Sequence, residues 1–208
     1  MSRRILAVLI GVLVVFVCGG WGRMSDAGQR GNAVVAPAVR ALTSDSALAL
    51  PQGFEAARGY RPEVVRLPSG SLVQVAPKGG CSSPIGGSEF NFTDACREHD
   101  LGYDLLRYAA ADGAPLGPWA RQAVDAEFAR QLRSQCHGLG CRAMAEVYIG
   151  VVRFNSWRQG YGVPRAETPW QLFGPVVAGL LVGSGLLVAL RPRRERRPAE
   201  RLVLAGAR

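Results

Sequence analysis

The sequence predicts a mainly α-helical fold: a small disulfide-stapled bundle of about three helices, two of them long and antiparallel, with a short β-hairpin before them and a transmembrane helix after them. Three observations predict it. Amphipathic segments cover about 93–111, 118–134 and 142–157, each long enough for a helix of several turns. Four cysteines fall between residues 81 and 141. An uncharged run follows at 170–190.

The net charge of +9 is carried by the two ends of the chain. Residues 1–23 contribute +3 and residues 191–208 contribute +5, whereas residues 24–169 contribute only +1. A nucleic-acid-binding domain carries its positive charge on the folded part of the chain. The distribution of charge therefore excludes nucleic acid from the expected partners.

Both ends of the chain have the features of membrane targeting. Residues 1–24 place Arg3 and Arg4 before an apolar run, which is typical of a signal peptide or of an uncleaved signal anchor. Residues 170–190 fit a transmembrane helix, and a buried core helix is the alternative. The basic tail, 191–208, is then cytoplasmic by the positive-inside rule. We expect a cell-membrane protein whose middle is extracellular, or secreted if the tether is processed.

Between these ends, the composition divides the chain into three parts. Residues 25–60 are rich in Ala, Gly, Ser and Pro and predict a low-complexity, loosely packed arm. Residues 61–160 hold the hairpin, with its turn at Pro68 to Ser71, and the three long helices, so they form the predicted domain. Residues 161–169 are the expected linker to the membrane.

An extracellular location makes disulfides the expected state of the cysteines in the middle of the chain. Cys81, Cys96, Cys136 and Cys141 allow three pairings, and closure of local loops favours Cys81–Cys96 and Cys136–Cys141. A loop of about fifteen residues is stabilised by roughly 3 kcal/mol in the chain-entropy account. The alternative is a zinc site formed with His137, although the spacing lacks the paired C-x2-C of zinc knuckles.

One face of the first predicted helix combines apolar and chemically active side chains. Helical spacing places on this face Cys96, His99, Asp100, Tyr103 and Leu106. Cysteine, tyrosine and leucine make it the packing face, so the histidine and the aspartate point inward, where each needs a partner. The side chains expected in solvent on the opposite face are Arg97, Glu98 and Asp104.

The second predicted helix repeats this pattern with an acid. Asp125 shares a stripe with Phe128, Ala129 and Leu132. A short loop joins the first two helices, so they should pack antiparallel, and His99 and Asp125 lie about midway along each. We expect the two side chains to meet. The carboxylate would then fix the tautomer of the imidazole and leave its other nitrogen basic.

Such a pair indicates activation of a water molecule. The chain has no G-x-S-x-G nucleophile elbow, and oxidised cysteines cannot attack a substrate. His99 is therefore the candidate general base. Asp100 is a candidate metal ligand, and a hard carboxylate outside the cell, helped by loop carbonyls, favours calcium over zinc. A helical His-Asp pair alone is more often structural, and the second buried acid shifts that balance.

The stretch from Phe90 to Asp104 resembles the calcium-dependent secreted phospholipases A2, especially their bacterial and fungal type. In that family a cysteine is followed three residues later by His-Asp and then by Gly-Tyr, which here are Cys96, His99, Asp100, Gly102 and Tyr103. A second helix bears the aspartate that pairs with the histidine, and a second disulfide precedes the third helix. The match covers roughly residues 78–157.

The resemblance implies a phospholipase mechanism at a phospholipid membrane. His99 would deprotonate a water that attacks the sn-2 ester of a phospholipid, and Asp125 would orient His99, with Tyr103 in a supporting role. Calcium would be held by Asp100 and by carbonyls of Gly79 and Gly80. The oxyanion would be stabilised by calcium and by a backbone N–H of the loop before Cys81.

One position departs from the family's pattern. The bacterial type has a calcium-ligating aspartate two residues before the first cysteine, and this chain has Gly79 there. Losing one of two carboxylates should weaken calcium binding, because the number of charged ligands sets the affinity. The alternative is therefore a catalytically weakened or inactive phospholipase-like surface domain that binds lipid or a protein partner.

Overall fold

The computed structural model describes residues 32–44, 46, 48–81, 90–166, 177, 181 and 184–185. The chain divides into two compact units, one of residues 17–167 and the other formed by residues 1–16 together with 168–208. The described residues of the second unit are helical. The first unit holds the three long helices and the two disulfides.

The described part of the first unit is mainly helical, with one two-stranded sheet. In chain order its elements are α1 (Val35–Leu42), α2 (Phe54–Arg58), β1 (Glu63–Arg66), β2 (Leu72–Val75), α3 (Thr93–Ala111), α4 (Pro118–Gln135) and α5 (Leu139–Arg158). The two strands form an antiparallel pair in which Glu63 lies opposite Val75. The predicted mainly helical fold, with a hairpin before three long helices, is confirmed.

The loop between α3 and α4 is defined by local sequence. Gly113 follows α3 with a φ of 75°, a left-handed conformation that glycine adopts without steric cost. Pro118 occupies the first turn of α4, where its fixed φ suits a helix and its missing N–H costs nothing. The contacts then run in opposite directions along the two helices, since His99 meets Asp125 and Tyr103 meets Arg121. The helices are antiparallel.

Both favoured disulfides are present. Cys81 bonds to Cys96, with their Cα atoms 5.1 Å apart, and ties the preceding loop to the first turn of α3. Cys136 bonds to Cys141, with Cα atoms 5.3 Å apart, across the turn between α4 and α5. Helix α5 begins at Leu139, three residues before the predicted start, so Cys141 lies within the helix.

The predicted low-complexity arm, 25–60, contains two short helices with buried residues. Val35, Val39 and Leu42 of α1 are buried, as is Phe54 of α2, and all four belong to one apolar cluster. In α1 these residues recur at i, i+4 and i+7, the spacing of one helix face. The structure therefore differs here from the expected loosely packed arm. The helical spacing of Val35, Val39 and Leu42 lies within a segment whose overall composition, rich in Ala, Gly, Ser and Pro, is typical of a linker.

Two apolar clusters meet along α3 and α4. The first joins α1 and α2 to the later part of α3 and the start of α4. The second joins the start of α3 to the end of α4 and to α5. At the boundary, a Cβ added to Gly102 would lie 2.6 Å from Cγ1 of Val124, so glycine allows the two helices to approach closely. His99 and Asp125 lie at this boundary.

The prediction that Glu98 and Asp104 face solvent is wrong, because both side chains are buried. Helix α3 has neighbours on several sides, so it has no fully solvated face at these positions. Tyr60 donates a hydrogen bond of 2.8 Å to Asp104, and Arg58 and Arg107 form ion pairs with the same carboxylate. Asp104 is thus a buried but satisfied acid.

Within the described residues, no helix is long and apolar enough to cross a membrane. The predicted span, 170–190, lies outside that part of the chain except for residues 177, 181 and 184–185. The predicted signal segment, 1–24, and the basic tail, 191–208, also lie outside it. These three assignments stay predictions of the sequence.

Candidate active site

The centre of the candidate site is an imidazole–carboxylate pair between α3 and α4. His99 Nε2 lies 3.0 Å from Asp125 Oδ1, and the two side chains are 9 % and 5 % exposed. An ionised carboxylate only accepts hydrogen bonds, so the nitrogen that faces Asp125 carries the hydrogen. The lone pair of His99 is then on Nδ1. The structure brings together the two residues that the sequence predicted to meet.

Two aromatic rings hold the imidazole in place. The ring of Tyr103 lies 4.1 Å from that of His99 between centroids, and the ring of Phe128 lies at 4.8 Å. Tyr103 comes from α3 one turn after His99, and Phe128 comes from α4 one turn after Asp125. Packing against these two rings restricts rotation of the imidazole, so the Nε2 atom stays directed at Asp125.

Tyr103 also binds the carboxylate directly. Its hydroxyl donates a hydrogen bond of 2.8 Å to Asp125 Oδ1, the same oxygen that faces His99. Burial and the nearby Asp125 carboxylate raise the pKa of Tyr103 to about 12. The hydroxyl therefore remains protonated and acts as a donor at every pH at which the protein would be studied. The resemblance assigns Tyr103 a supporting role, and that role stays a prediction.

Ser156 and Arg121 complete the network, and the sequence did not single out either residue. Ser156, on α5, has its Oγ 3.1 Å from the Tyr103 hydroxyl. Arg121 Nε donates to Ser156 Oγ at 2.9 Å and to the Tyr103 hydroxyl at 3.3 Å. Arg121 precedes Asp125 by four residues and so lies on the same face of α4. The i, i+4 spacing could therefore have indicated Arg121 from the sequence. Ser156 lies on α5, and the sequence does not predict which face of α5 is turned toward the site.

The predicted metal ligands come from two places in the chain. Asp100 follows His99 on α3, and Gly79 and Gly80 lie in the loop before Cys81. Asp100 Oδ2 accepts a hydrogen bond of 2.8 Å from the backbone N–H of Gly80. Burial raises the pKa of Asp100 above its ordinary value, and the Gly80 N–H opposes that shift. The carboxylate is thus aimed at the predicted loop. The Gly80 N–H is one of the loop donors that the resemblance offers to the oxyanion, and here it is already bonded to Asp100.

Gly79 packs closely on Asp100, at the position where the bacterial type of phospholipase A2 carries an aspartate. A Cβ added to Gly79 would lie 2.8 Å from Asp100 Oδ2 and 3.1 Å from the backbone of Arg97. Contacts under 3 Å require a neighbour to move. The loop therefore packs directly on Asp100, and a side chain at position 79 would require the Asp100 carboxylate to shift.

The candidate calcium ligands within the described residues are one side chain and two backbone carbonyls. Calcium takes six to eight oxygen ligands, which are carboxylates, carbonyls and waters. Asp100 offers one carboxylate, and Gly79 and Gly80 offer carbonyls. No group of three or more His, Cys, Asp or Glu side chains suited to a metal occurs within the ranges that the structure describes. Calcium thus stays a prediction that rests on the resemblance.

Comparisons with known proteins add no identification. The chain matches no family model, no curated protein and no solved structure. The chemistry of the site therefore rests on its own geometry: the buried imidazole of His99 is bound to a carboxylate at Nε2, and its Nδ1 atom carries the lone pair.

Proposed function

We propose that this domain is a phospholipase A2-like ester hydrolase whose base is His99. The observation that carries the proposal is the 3.0 Å contact between His99 Nε2 and Asp125 Oδ1, made between two helices. An imidazole that is bound to a carboxylate at one nitrogen is oriented, and it is stabilised when it takes up a proton at the other. This is what a general base for water requires.

The reaction would proceed in two proton transfers. His99 Nδ1 takes a proton from a water molecule while the water oxygen bonds to the ester carbonyl carbon. The bond between that carbon and the alcohol oxygen then breaks, and His99 returns the proton to the leaving alcohol. Asp125 stays ionised and stabilises the imidazolium between the two steps. The products are a fatty acid and a lysophospholipid.

The substrate class rests on the resemblance to the phospholipases A2 and on the predicted tether. A helix at 170–190 would hold the domain next to the lipid it cleaves. The proton transfers above are those of the His99–Asp125 pair, and calcium held by Asp100 and loop carbonyls would stabilise the oxyanion. Calcium dependence is a separate prediction, and with one carboxylate the expected affinity is in the millimolar range, about that of weak extracellular sites.

Fatty-acid release from phosphatidylcholine vesicles tests the proposal. The purified full chain is assayed with millimolar calcium and with a chelator, beside a His99→Ala variant. We expect release by the wild type and a loss of roughly 10²- to 10⁴-fold in the variant, the usual value of general-base catalysis. Failure of the wild type in both conditions, or an undiminished rate in the variant, would refute the proposal. The chelator comparison decides only the calcium prediction.

The second candidate is a non-catalytic, phospholipase-like surface domain that binds lipid or a protein partner. Gly79 favours it, since the loop that carries a calcium ligand in the family here packs on Asp100. Vesicle flotation distinguishes the two candidates. Binding to phosphatidylcholine vesicles without any release of fatty acid, together with no calcium uptake by calorimetry at millimolar concentrations, would support this second function.

A further inference from the structure

Arg121 is a fully buried cation with an unusual set of partners. Its exposed fraction is 0 %, and it makes no ion pair with a carboxylate in the described part of the chain. Its Nη2 atom is buried without a hydrogen-bond partner there. A buried guanidinium is costly unless an opposite charge and hydrogen bonds compensate it. One acid of the described part of the chain is connected to Arg121 through a series of hydrogen bonds.

That acid is Asp125, and two hydroxyl groups connect it to Arg121. A guanidinium only donates, so Ser156 Oγ accepts the 2.9 Å bond from Arg121 Nε. The Ser156 hydroxyl can then donate across the 3.1 Å contact to the Tyr103 oxygen. Tyr103 donates in turn to Asp125 Oδ1 at 2.8 Å. Every hydrogen in this series points from the cation toward the carboxylate.

The far side of the guanidinium is anchored after the end of α5. Arg121 Nη1 donates to Gln159 Oε1 at 2.8 Å and to the carbonyl oxygen of Gly162 at 3.1 Å. The guanidinium carbon also lies 5.0 Å from the centre of the Tyr103 ring. Hydrogen bonds thus fix the guanidinium at both Nε and Nη1, and the Tyr103 ring lies close to both the guanidinium and the imidazole of His99.

We infer that Arg121 is a positioning residue for the His99–Asp125 pair, acting through Ser156 and Tyr103. The relayed positive charge and the aligned donors keep Asp125 Oδ1 directed at His99 Nε2, and this fixes the tautomer with a basic Nδ1. The kinetic consequence rests on the proposed hydrolase function. The effect on the tautomer of His99 does not depend on that function, so the kinetic and the tautomer predictions can fail independently.

Imidazole nitrogen NMR measures that tautomer directly. The chain contains two histidines, and His137 is exposed, so the signals of His99 can be assigned from a His137→Gln variant. The full chain is labelled with ¹⁵N, and wild type is compared with Ser156→Ala and Arg121→Met. We expect a single tautomer protonated at Nε2 in the wild type. Both variants should add a clearly populated tautomer protonated at Nδ1.

Arg133→Ala is the matched control. Arg133 is also an arginine of α4, and its ion pair with Glu146 is exposed at the far end of the helix. This variant should keep the wild-type signals of His99. If Ser156→Ala and Arg121→Met, folded as judged by their amide spectra, also keep the single Nε2-protonated tautomer, the inference is wrong.

The kinetic measurement uses the same variants with phosphatidylcholine vesicles. We expect kcat to fall roughly tenfold in Ser156→Ala, about the value of one lost hydrogen bond, and further in Arg121→Met, while KM stays within about twofold. Arg121→Lys, which keeps the charge without the fork of donors, should fall between wild type and Arg121→Met. A purely structural role predicts a lower melting temperature with unchanged kcat for folded protein, and that result would overturn the inference. An inactive wild type would refute the proposed function and leave the NMR result to decide the role of Arg121.

Discussion

His99 and Glu98 are neighbours on α3, and both side chains are buried against α4, yet they meet opposite kinds of partner. His99 meets Asp125, which also receives a hydrogen bond from Tyr103. Glu98 meets another acid, Glu127, and its Oε2 atom is buried without a hydrogen-bond partner in the described part of the chain. Asp125 thus has two partners on its Oδ1 atom, although its Oδ2 atom is also buried without a hydrogen-bond partner in that part of the chain, whereas Glu98 has a second carboxylate nearby.

The two regions show two ways in which a buried acid is stabilised. Around Asp125, donors compensate the charge. Around Glu98, proton uptake removes it: burial, and then repulsion by Glu127, raise the pKa of Glu98 to about 8. Glu127 has its own donors, because Arg130 Nε lies 2.9 Å from its carboxylate and Gln131 Nε2 lies 2.7 Å from it. The difference indicates that the Asp125 region supplies donors to one oxygen of its carboxylate, whereas the Glu98 region tolerates a neutral acid.

Asp125→Asn should give the largest effect on the first region. The amide can turn its NH2 group toward His99 Nε2 and so favour the tautomer that is protonated at Nδ1. In that tautomer Nδ1 has no lone pair with which to take a proton from water. We expect kcat for fatty-acid release to fall by roughly 10²- to 10⁴-fold with little change in secondary structure. A circular-dichroism spectrum checks the fold, and a loss of activity below about threefold would contradict the assigned role.

Glu98→Gln should change the pH dependence of stability. The folded pKa of Glu98, about 8, lies above its ordinary value of 4.5, so the folded state binds the proton more tightly than the unfolded chain. Stability should therefore fall as the pH rises from about 4.5 to about 8, by at most about 1.4 kcal/mol per pH unit. The variant removes this dependence and should be more stable than the wild type at pH 8.

Denaturant unfolding of the full chain at pH 5, 6, 7 and 8 measures this effect, with wild type and variant side by side. Glu55→Gln is the control, since Glu55 is an exposed acid on α2. A free energy of unfolding that falls with pH equally in wild type and Glu98→Gln would show that Glu98 is not the group responsible.

Tyr103→Phe should have the smallest effect of the three. It removes one donor to Asp125 and keeps the ring that packs on His99. We expect about a tenfold loss in kcat and about 1 kcal/mol of stability, the usual value of one buried hydrogen bond. Steady-state kinetics and thermal unfolding measure the two effects. An unchanged kcat would contradict both this prediction and the positioning role of Arg121, because the series of hydrogen bonds from Arg121 reaches Asp125 through the Tyr103 hydroxyl.

Much of the fold was predictable because its signals are local. The spacing of Cys96, His99 and Tyr103 fixed the packing face of α3, and Gly113 and Pro118 marked the loop that makes α3 and α4 antiparallel. The meeting of His99 with Asp125 followed from these two facts. The disulfide pairs followed from the short separations of their cysteines.

The rest depended on contacts between distant segments. Glu98 and Asp104 are buried because α2 and α4 cover faces of α3 that helical periodicity alone assigns to solvent. Ser156 enters the site from α5, and no local pattern gives the rotation of that helix. The packing of Gly79 on Asp100 is likewise a contact across twenty-one positions of the chain, visible only in three dimensions.

The most direct test of the catalytic claim compares His99→Gln with Glu98→Gln. The two substitutions introduce the same side chain at adjacent positions of one helix, both buried at the α4 interface. Fatty-acid release from phosphatidylcholine vesicles is measured for each full-length variant at pH 7. Our account predicts that His99→Gln loses nearly all activity and that Glu98→Gln keeps a rate close to the wild type. Equal rates in the two variants would contradict it.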